Sequence, residues 1–487
     1  MKYQSTRNRA LTASPAAAVL RGIAPDGGLY MPEAIPVLNW QSLLEADTLT
    51  LSARILSALL PDYPDMDGLV RRGYAGKFET EELTPLVKVG DRYVLELFRG
   101  PTSAFKDVAL SLLPQLISQA RTLENIRDEM LILTATSGDT GKAALEGFHD
   151  VPGTKIIVFY PYGGVSAVQQ AQMVTQEGAN VKVCAVRGNF DDTQTGVKQI
   201  FASCDEEDLP GLRLSSANSI NIGRLAPQIV YYFKAYADLV RCGRIRVGEP
   251  VHFCVPTGNF GDILAGYFAK RMGLPVGRLI CASNRNDVLT DFLSTGVYDK
   301  RRTFYKTTSP SMDILVSSNL ERLLSLLTGD DAYVAGLMKD LNEQGHYKVT
   351  EELLRKLQSE FSCGCCDDDA AGRTIGKVWA REKYLLDPHT AVAWTVADQF
   401  SRTHHDGAPV VVLSTASPYK FPAAVLSALG QRVSDDEFAV MDDLHACTGV
   451  PVPKNLAALR EKPVRHRDVI DREDMLSYVL RKAGEKQ

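Results

Sequence analysis

The feature that most constrains this chain is a change of rhythm near residue 90. Runs at 93–98, 130–135, 155–160, 181–186 and 251–255 read as strands with helical patterns after them, and 410–414 closes the series. Such alternation builds βαβ units and parallel sheets, whose ligands bind beyond the carboxyl ends of the strands. The stretch 108–120 reads as a helix interrupted by Pro114. Residues 1–88 read as a mainly helical N-terminal domain, with Ala24-Pro25-Asp26-Gly27-Gly28 as a strong turn. The sheet-building text runs over 89–430, and a charged helical extension over 431–487 is expected to pack on the outside. The fold class is α/β, with parallel sheets flanked by helices.

Composition narrows the function. The chain has 487 residues, 45% hydrophobic and 23% charged, enough for a large core and two or three domains. Its 54 basic and 59 acidic residues leave a net charge of -5, so no basic field points to nucleic acid. No apolar run reaches the ~20 residues of a membrane span. The only early apolar run, 16–20, is too short for a secretory signal and is ended by Arg21. Nine cysteines, an odd number in a long chain, read as reduced thiols in a cytoplasm.

Five segments carry candidate chemistry. Gly100-Pro101-Thr102-Ser103-Ala104-Phe105-Lys106-Asp107 puts a lysine between a strand and a helix, where desolvation and a helix N-terminus favour a neutral amine able to form a Schiff base. Thr136-Ser137-Gly138-Asp139-Thr140-Gly141 also joins a strand to a helix, and its hydroxyls and free N–H groups suit an anion. Thr257-Gly258-Asn259-Phe260-Gly261-Asp262 suits a phosphate on a helix start, with Asp262 read as a cap pointing away. It is too short for a dinucleotide fingerprint and lacks the Gly-Lys-Ser/Thr of a Walker loop. Residues 216–224 supply Asn218 and Arg224 for a second phosphate, and 413–418 place Thr415 past the last strand. Each segment alone also admits a plainer reading: a solvated lysine, a capped helix, a polar loop.

In this order the segments resemble the fold-type II pyridoxal-phosphate enzymes (tryptophan synthase β-like), and among them the long-type threonine synthases. The resemblance starts at Tyr3-Gln4-Ser5-Thr6-Arg7 and Ala24-Pro25-Asp26-Gly27-Gly28-Leu29-Tyr30 and runs through Leu386-Asp387-Pro388-His389-Thr390-Ala391-Val392 to Thr415. It implies two open twisted sheets flanked by helices, forming a catalytic core over 89–430 with a smaller subdomain at roughly 105–220 inserted in it. It implies pyridoxal 5'-phosphate as cofactor, held by Lys106 as a Schiff base, with Phe105 beside the ring. It implies Gly258, Asn259, Phe260, Gly261 and Asp262 at the cofactor phosphate, Thr415 at the pyridine nitrogen and Asp139 near the phenolic oxygen. Ser137, Gly138, Thr140 and Gly141 would hold the substrate carboxylate, and Asn218 and Arg224 its phosphate.

The implied reaction converts O-phospho-L-homoserine and water to L-threonine and phosphate, the last step of threonine biosynthesis. Lys106 would move the protons, and the departing phosphate can itself act as acid or base. The alternatives are a phospho-lyase that stops at 2-oxobutyrate and, in another class, a non-catalytic metabolite-binding relative. The implied enzyme is a cytoplasmic monomer or homodimer. Many short-type relatives carry asparagine where this chain has Asp139. Cys363-Gly364-Cys365-Cys366 lacks a fourth ligand at zinc spacing and reads as a strand end before an Asp-capped helix, so no metal is expected. Asp387-Pro388-His389-Thr390 reads as a turn and helix start bordering the site, and His404-His405 as a surface pair.

Overall fold

A computed structural model describes residues 1–136, 138–203 and 208–484. Its largest sheet has six strands in the order Phe361–Cys365, Val276–Ser283, Val251–Pro256, Val410–Ser414, Arg92–Glu96 and Leu86–Val89. All neighbours are parallel except the last two, which form an antiparallel edge. A second sheet of five parallel strands runs Asp468–Ile470, Val181–Val186, Thr154–Pro161, Glu129–Ala135 and Leu212–Ser215. The central strand Val251–Pro256 is buried along its whole length, as a strand covered by helices on both faces must be. This explains its unbroken apolar text, and it places the polar loops at the strand ends.

The alternation near residue 90 thus produces the two sheets expected, and the text between strands forms their flanking helices. The helix expected over 108–120 is divided into Lys106–Leu110 and Leu113–Leu123, with Pro114 in the first turn of the second, where its missing N–H costs nothing. The strands Leu212–Ser215 and Val276–Ser283 do not stand out in the sequence, because they hold residues too mixed to be marked alone, whereas Phe361–Cys365 is the strand whose end the sequence places at the cysteines. The C-terminal segment departs from the all-helical expectation. Asp468–Ile470 adds an edge strand beside Val181–Val186, and the helix Met475–Gly484 buries Met475, Tyr478 and Val479 against that sheet.

The N-terminal region adds a three-stranded antiparallel sheet, Thr12–Ala13, Tyr3–Ser5 and Tyr30–Pro32, to its helices. It props up a loop of the core. Asn221 donates through Nδ2 to the carbonyl of Val19 at 2.8 Å, and Ser215 through Oγ to that of Leu20 at 2.7 Å. Buried Arg322 bridges Tyr30 O and Ile220 O. The polar stretch 216–224 is therefore held from behind, where a free loop would have to be ordered by its ligand.

Candidate functional site

Every segment singled out in the sequence lies at the carboxyl end of a strand, and hydrogen bonds between distant loops bring the segments together. Lys106 follows the strand Arg92–Glu96 and opens the helix Lys106–Leu110. Its loop is shaped by Asp107, whose carboxylate accepts from the N–H of Thr102 at 2.8 Å and from its hydroxyl at 2.5 Å. Burial pushes the Asp107 carboxyl up to about 6, against the pull of those bonds. Ser103 sits in the left-handed region at φ 60°, and Asn455 clamps it by donating to Pro101 O and Ser103 Oγ. A bridge from Ala104 to Ala416, with Phe105 N–H donating to Thr415 O at 2.8 Å, fixes Lys106 beside the Thr415 segment.

The Lys106 side chain is only 12% exposed, with Nζ 3.2 Å from Ser311 Oγ and 4.0 Å from Asp139 Oδ2. Burial lowers its amine to about 8; Asp139 opposes the shift, whereas the Lys420 and Arg224 cations add to it. Near neutral pH an amine of this kind has an appreciable unprotonated fraction, which is what attack on a carbonyl requires.

Asp139 opens the helix Asp139–Phe148 and is the hub of the site. Lys420 donates to Oδ1 at 2.7 Å and Gln169 through Nε2 to the same oxygen at 3.1 Å. The Lys420 side chain is completely buried, and its Nζ also reaches Thr102 O at 3.1 Å. Burial would raise the Asp139 carboxyl, but the two lysines and the two hydrogen bonds outweigh it and hold the group well below the usual carboxylate range. Gly138 has φ 137°, and a Cβ there would stand 2.4 Å from the Gln169 side chain. The helix start needs glycine for both reasons. Thr136 Oγ1 accepts from the N–H groups of Gly138 and Gly141 at 3.0 and 2.8 Å, so those donors are already engaged. Thr140 is partly exposed in the same first turn. Ser137 lies outside the described residues.

After the strand Val251–Pro256, Gly258 approaches another backbone so closely that a Cβ would lie 2.6 Å from Ser311 O. Asn259 O accepts from the backbone and side chain of Asn319, both at 3.1 Å. Phe260 takes a left-handed turn at φ 62° and buries its ring against Phe361. Asp262 turns its carboxylate back into the protein, where Tyr231 and Tyr232 donate to Oδ1 at 2.5 and 2.9 Å. Burial lifts it to about 6 against those bonds. Both side chains therefore leave the first turn of the helix Gly261–Arg271, whose N–H groups have no intrahelical acceptor and face an anion without a competing charge.

Beyond the strand Leu212–Ser215, Arg224 is 4% exposed and its guanidinium donates to Ala217 O, while its Nε has no partner. Burial lowers it to about 10. Asn218, partly exposed, stands where the loop folds back, its N–H on Ser216 Oγ at 3.1 Å. Thr415 is 6% exposed at the end of the strand Val410–Ser414.

Four residues of this centre went unmarked in the sequence: Lys420, Gln169, Ser311 and, as a contact rather than a border, His389. Lys420 sits five positions after Thr415, so a second lysine past a strand end was the available signal. His389 opens the helix Pro388–Ser401 as its turn-and-helix text suggests, and its Nε2 accepts from Ser311 N–H at 3.1 Å. Cys363 and Cys365 lie on a strand followed by an Asp367-capped helix, and His404 and His405 are exposed. Among the described residues no group of three or more His, Cys, Asp or Glu could hold a metal, and no helix is long and apolar enough to cross a membrane.

Comparison with known proteins follows the same lines. Residues 2–88 match the threonine synthase N terminus, 78–416 the pyridoxal-phosphate dependent enzyme family and 390–479 the threonine synthase C-terminal family. Threonine synthase from Pseudomonas aeruginosa is 41% identical over 446 residues, covering 88% of this chain and 91% of that protein. Threonine synthase-like 1 from Homo sapiens is 40% identical over 432 residues, 85% of this chain, but the match spans only 57% of that longer protein. Among solved structures, pyridoxal-phosphate-bound threonine synthase from Brucella melitensis superposes with a TM-score of 0.89 at 39% identity over 100% of both chains. Yeast threonine synthase gives 0.88 at 33% identity, covering 99% of this chain and 98% of its own.

Proposed function

Since this chain belongs to the threonine synthase family and is a pyridoxal-phosphate-dependent lyase of the fold-type II class, we propose that it converts O-phospho-L-homoserine and water to L-threonine and phosphate. The observation that carries the substrate is Arg224. A buried guanidinium with an unpartnered Nε, close enough to depress the Lys106 amine, is costly unless an anion completes it. A dehydratase acting on serine or threonine has no use for it, whereas a phosphate ester does.

The residues present also fit the cofactor. Lys106 offers a buried, partly neutral amine, and the helix start at Gly261 offers backbone donors to its phosphate, with Gly258 packed against the Ser311 backbone beside it. Phe105 lies partly buried beside Lys106, with Nζ 5.6 Å from its ring centroid. Thr415 would offer the pyridine nitrogen a hydroxyl rather than a carboxylate, and Asp139, 4.0 Å from Lys106 Nζ, would be the acid near the phenolic oxygen. When bound, the cofactor supplies the electron sink that stabilises negative charge at Cα.

The protein's own residues direct the rest. Thr140 receives the substrate carboxylate at the start of the helix Asp139–Phe148, whose turn Gly138 and Gly141 shape with their own N–H groups committed to Thr136 Oγ1. Asn218 and Arg224 hold its phosphate. The Lys106 amine takes the proton from Cα and then one from Cβ, and the Cγ–O bond breaks as phosphate leaves. A proton returns to Cγ, water adds its hydroxyl to Cβ, and Cα is reprotonated, so the sum is one water consumed and one phosphate released. Asp139, locked as an anion by Lys420, stabilises the ammonium form of Lys106 each time the amine carries a proton.

The likeness to threonine synthase-like 1 keeps a second outcome in play, in which elimination ends at 2-oxobutyrate. The test is to give the yellow holoenzyme O-phosphohomoserine and to follow phosphate, threonine and 2-oxobutyrate together. Phosphate matched by threonine supports the synthase. Phosphate matched by 2-oxobutyrate moves the function to the lyase, and the absence of phosphate release refutes the substrate.

A further inference from the structure

The amine of Lys106 has one uncharged hydrogen-bond partner among the described residues, the hydroxyl of Ser311 at 3.2 Å. The charged groups around it are Asp139, Lys420, Arg224 and Asp107. Ser311 lies in the short turn Pro310–Met312 of a segment that crosses the site between two anchors. At one end Asp313 accepts from Thr307 N–H and Oγ1 at 3.0 and 2.7 Å, and from the side chains of Asn284 and Asn286 at 2.8 and 2.9 Å. At the other, Ser317 Oγ donates to Gly258 O at 2.8 Å, and Asn319 N–H donates to Asn259 O at 3.1 Å.

Within the first anchor, between Thr307 and Asp313, the turn is also held by a buried histidine. Ser311 N–H donates to His389 Nε2 at 3.1 Å, so the proton of the neutral ring is on Nδ1, where it is donated to Asp387 Oδ1 at 2.9 Å. The Asp387 side chain has no exposure and also accepts from the N–H groups of His389 and Thr390 and from the Thr390 hydroxyl. The His389 ring is 2% exposed and packs on Phe421 at 4.9 Å. An Asp–His pair buried this completely could serve as an N-cap alone, but a cap needs neither the imidazole nor its contact with a residue 78 positions away.

Resting on the proposed reaction for its substrate, we infer that Ser311 is a further catalytic residue, its hydroxyl aiming the Lys106 amine, and that His389 and Asp387 are the positioning pair that sets it. When Lys106 is protonated the ammonium donates to Ser311 Oγ; when it is neutral the hydroxyl proton turns to the nitrogen lone pair. The serine thus restrains Nζ in both protonation states of a residue that must alternate between them.

The experiment compares wild type, Ser311→Ala, His389→Leu and His389→Gln as holoenzymes, each scaled to its bound pyridoxal phosphate. Glutamine can place an acceptor near the Nε2 position; leucine cannot. Ser311→Ala and His389→Leu should each lower kcat for O-phosphohomoserine about tenfold or more, the worth of one well-placed hydrogen bond, with KM within about twofold. Both should also shift the pH at which the absorbance of the Lys106-bound cofactor titrates, and His389→Gln should return to within about threefold of wild type. If His389→Leu fails to fold, Ser311→Ala and the glutamine variant still decide the matter. The inference is overturned if Ser311→Ala matches wild type in both readouts, or if His389→Gln is as impaired as a folded His389→Leu. A wild type that leaves O-phosphohomoserine untouched refutes the proposed reaction instead, and the absorbance titration then judges Ser311 without it.

Discussion

Two helix starts in this molecule are written almost alike and behave in opposite ways. Gly138-Asp139 and Gly261-Asp262 both follow a buried parallel strand and both put an aspartate in the first turn of a helix. Asp139 meets cations, Lys420 at 2.7 Å and Lys106 at 4.0 Å, and is held ionised. Asp262 meets two phenols, and burial lifts it to about 6. One acid joins the reacting amine as a fixed charge. The other withdraws and leaves a helix start free of negative charge for a phosphate. The local motif sets the position of each acid, and residues from far along the chain set its charge.

The largest expected break comes from removing Asp139. Asp139→Ala leaves Lys420 fully buried without its counter-ion, so urea unfolding should show a loss of about 3–5 kcal/mol, with turnover down by at least about 100-fold. Lys420→Met should cost a comparable amount of stability, and the double variant Asp139→Ala/Lys420→Met less than the sum, since no lone charge remains. Strictly additive losses would contradict the pairing.

Next comes Gly258→Ala. Its Cβ would press on Ser311 O at 2.6 Å, so the phosphate loop and the Ser311 segment must part. Pyridoxal phosphate should then bind at least about tenfold more weakly by fluorescence titration, the equivalent of a 1.4 kcal/mol loss.

The pH dependence sharpens the contrast further. In apoprotein the Lys106 amine should become reactive toward an amine-specific reagent through about pH 8, with Lys420→Met moving that midpoint upward because a neighbouring cation is gone. A midpoint at the ordinary lysine value would contradict the desolvation of this amine.

The smallest effect belongs to Asp262→Asn, expected to stay within about 1 kcal/mol of wild type at pH 5. The sign of its pH trend is opposite to that of Asp139. With a folded pKa above the unfolded one, Asp262 makes the wild type lose stability as pH rises from about 4 through about 6, so the asparagine variant should gain on wild type across that range and hold the gain above pH 6. Asp139, with its folded pKa depressed, contributes stability present above about pH 4 and lost as acid protonates it, so the deficit of Asp139→Ala should shrink at low pH. Parallel unfolding series at several pH values read both slopes.

How much of this was legible in the sequence follows from the same contrast. Strands buried on both faces announce themselves as apolar runs, and the loops after them stand out by their glycines and hydroxyls; hence Lys106, Gly258 and Thr415 could be marked. The edge strand Asp468–Ile470 could not, because three residues, one exposed and two half-buried, carry no period of their own. Nor could the partners Gln169, Tyr231 and Tyr232, which reach the two aspartates by tertiary packing that no spacing encodes. Asp262 was read as pointing away because an acid beside a phosphate is unfavourable, and its side chain does turn to the two phenols. By the same physics a buried, ionised Asp139 needs a cation, and Lys420, a second lysine past a strand end, is that cation.

The most direct test of the account is oxygen tracing. Holoenzyme is given O-phospho-L-homoserine in ¹⁸O-enriched water, and both products are read by mass spectrometry. Cleavage at Cγ–O followed by hydration at Cβ predicts threonine carrying one ¹⁸O per molecule and phosphate carrying none, in equal amounts. Label in the phosphate would mean attack at phosphorus, and unlabelled phosphate released without threonine would mean that hydration at Cβ does not occur; either result contradicts the reaction assigned to this site.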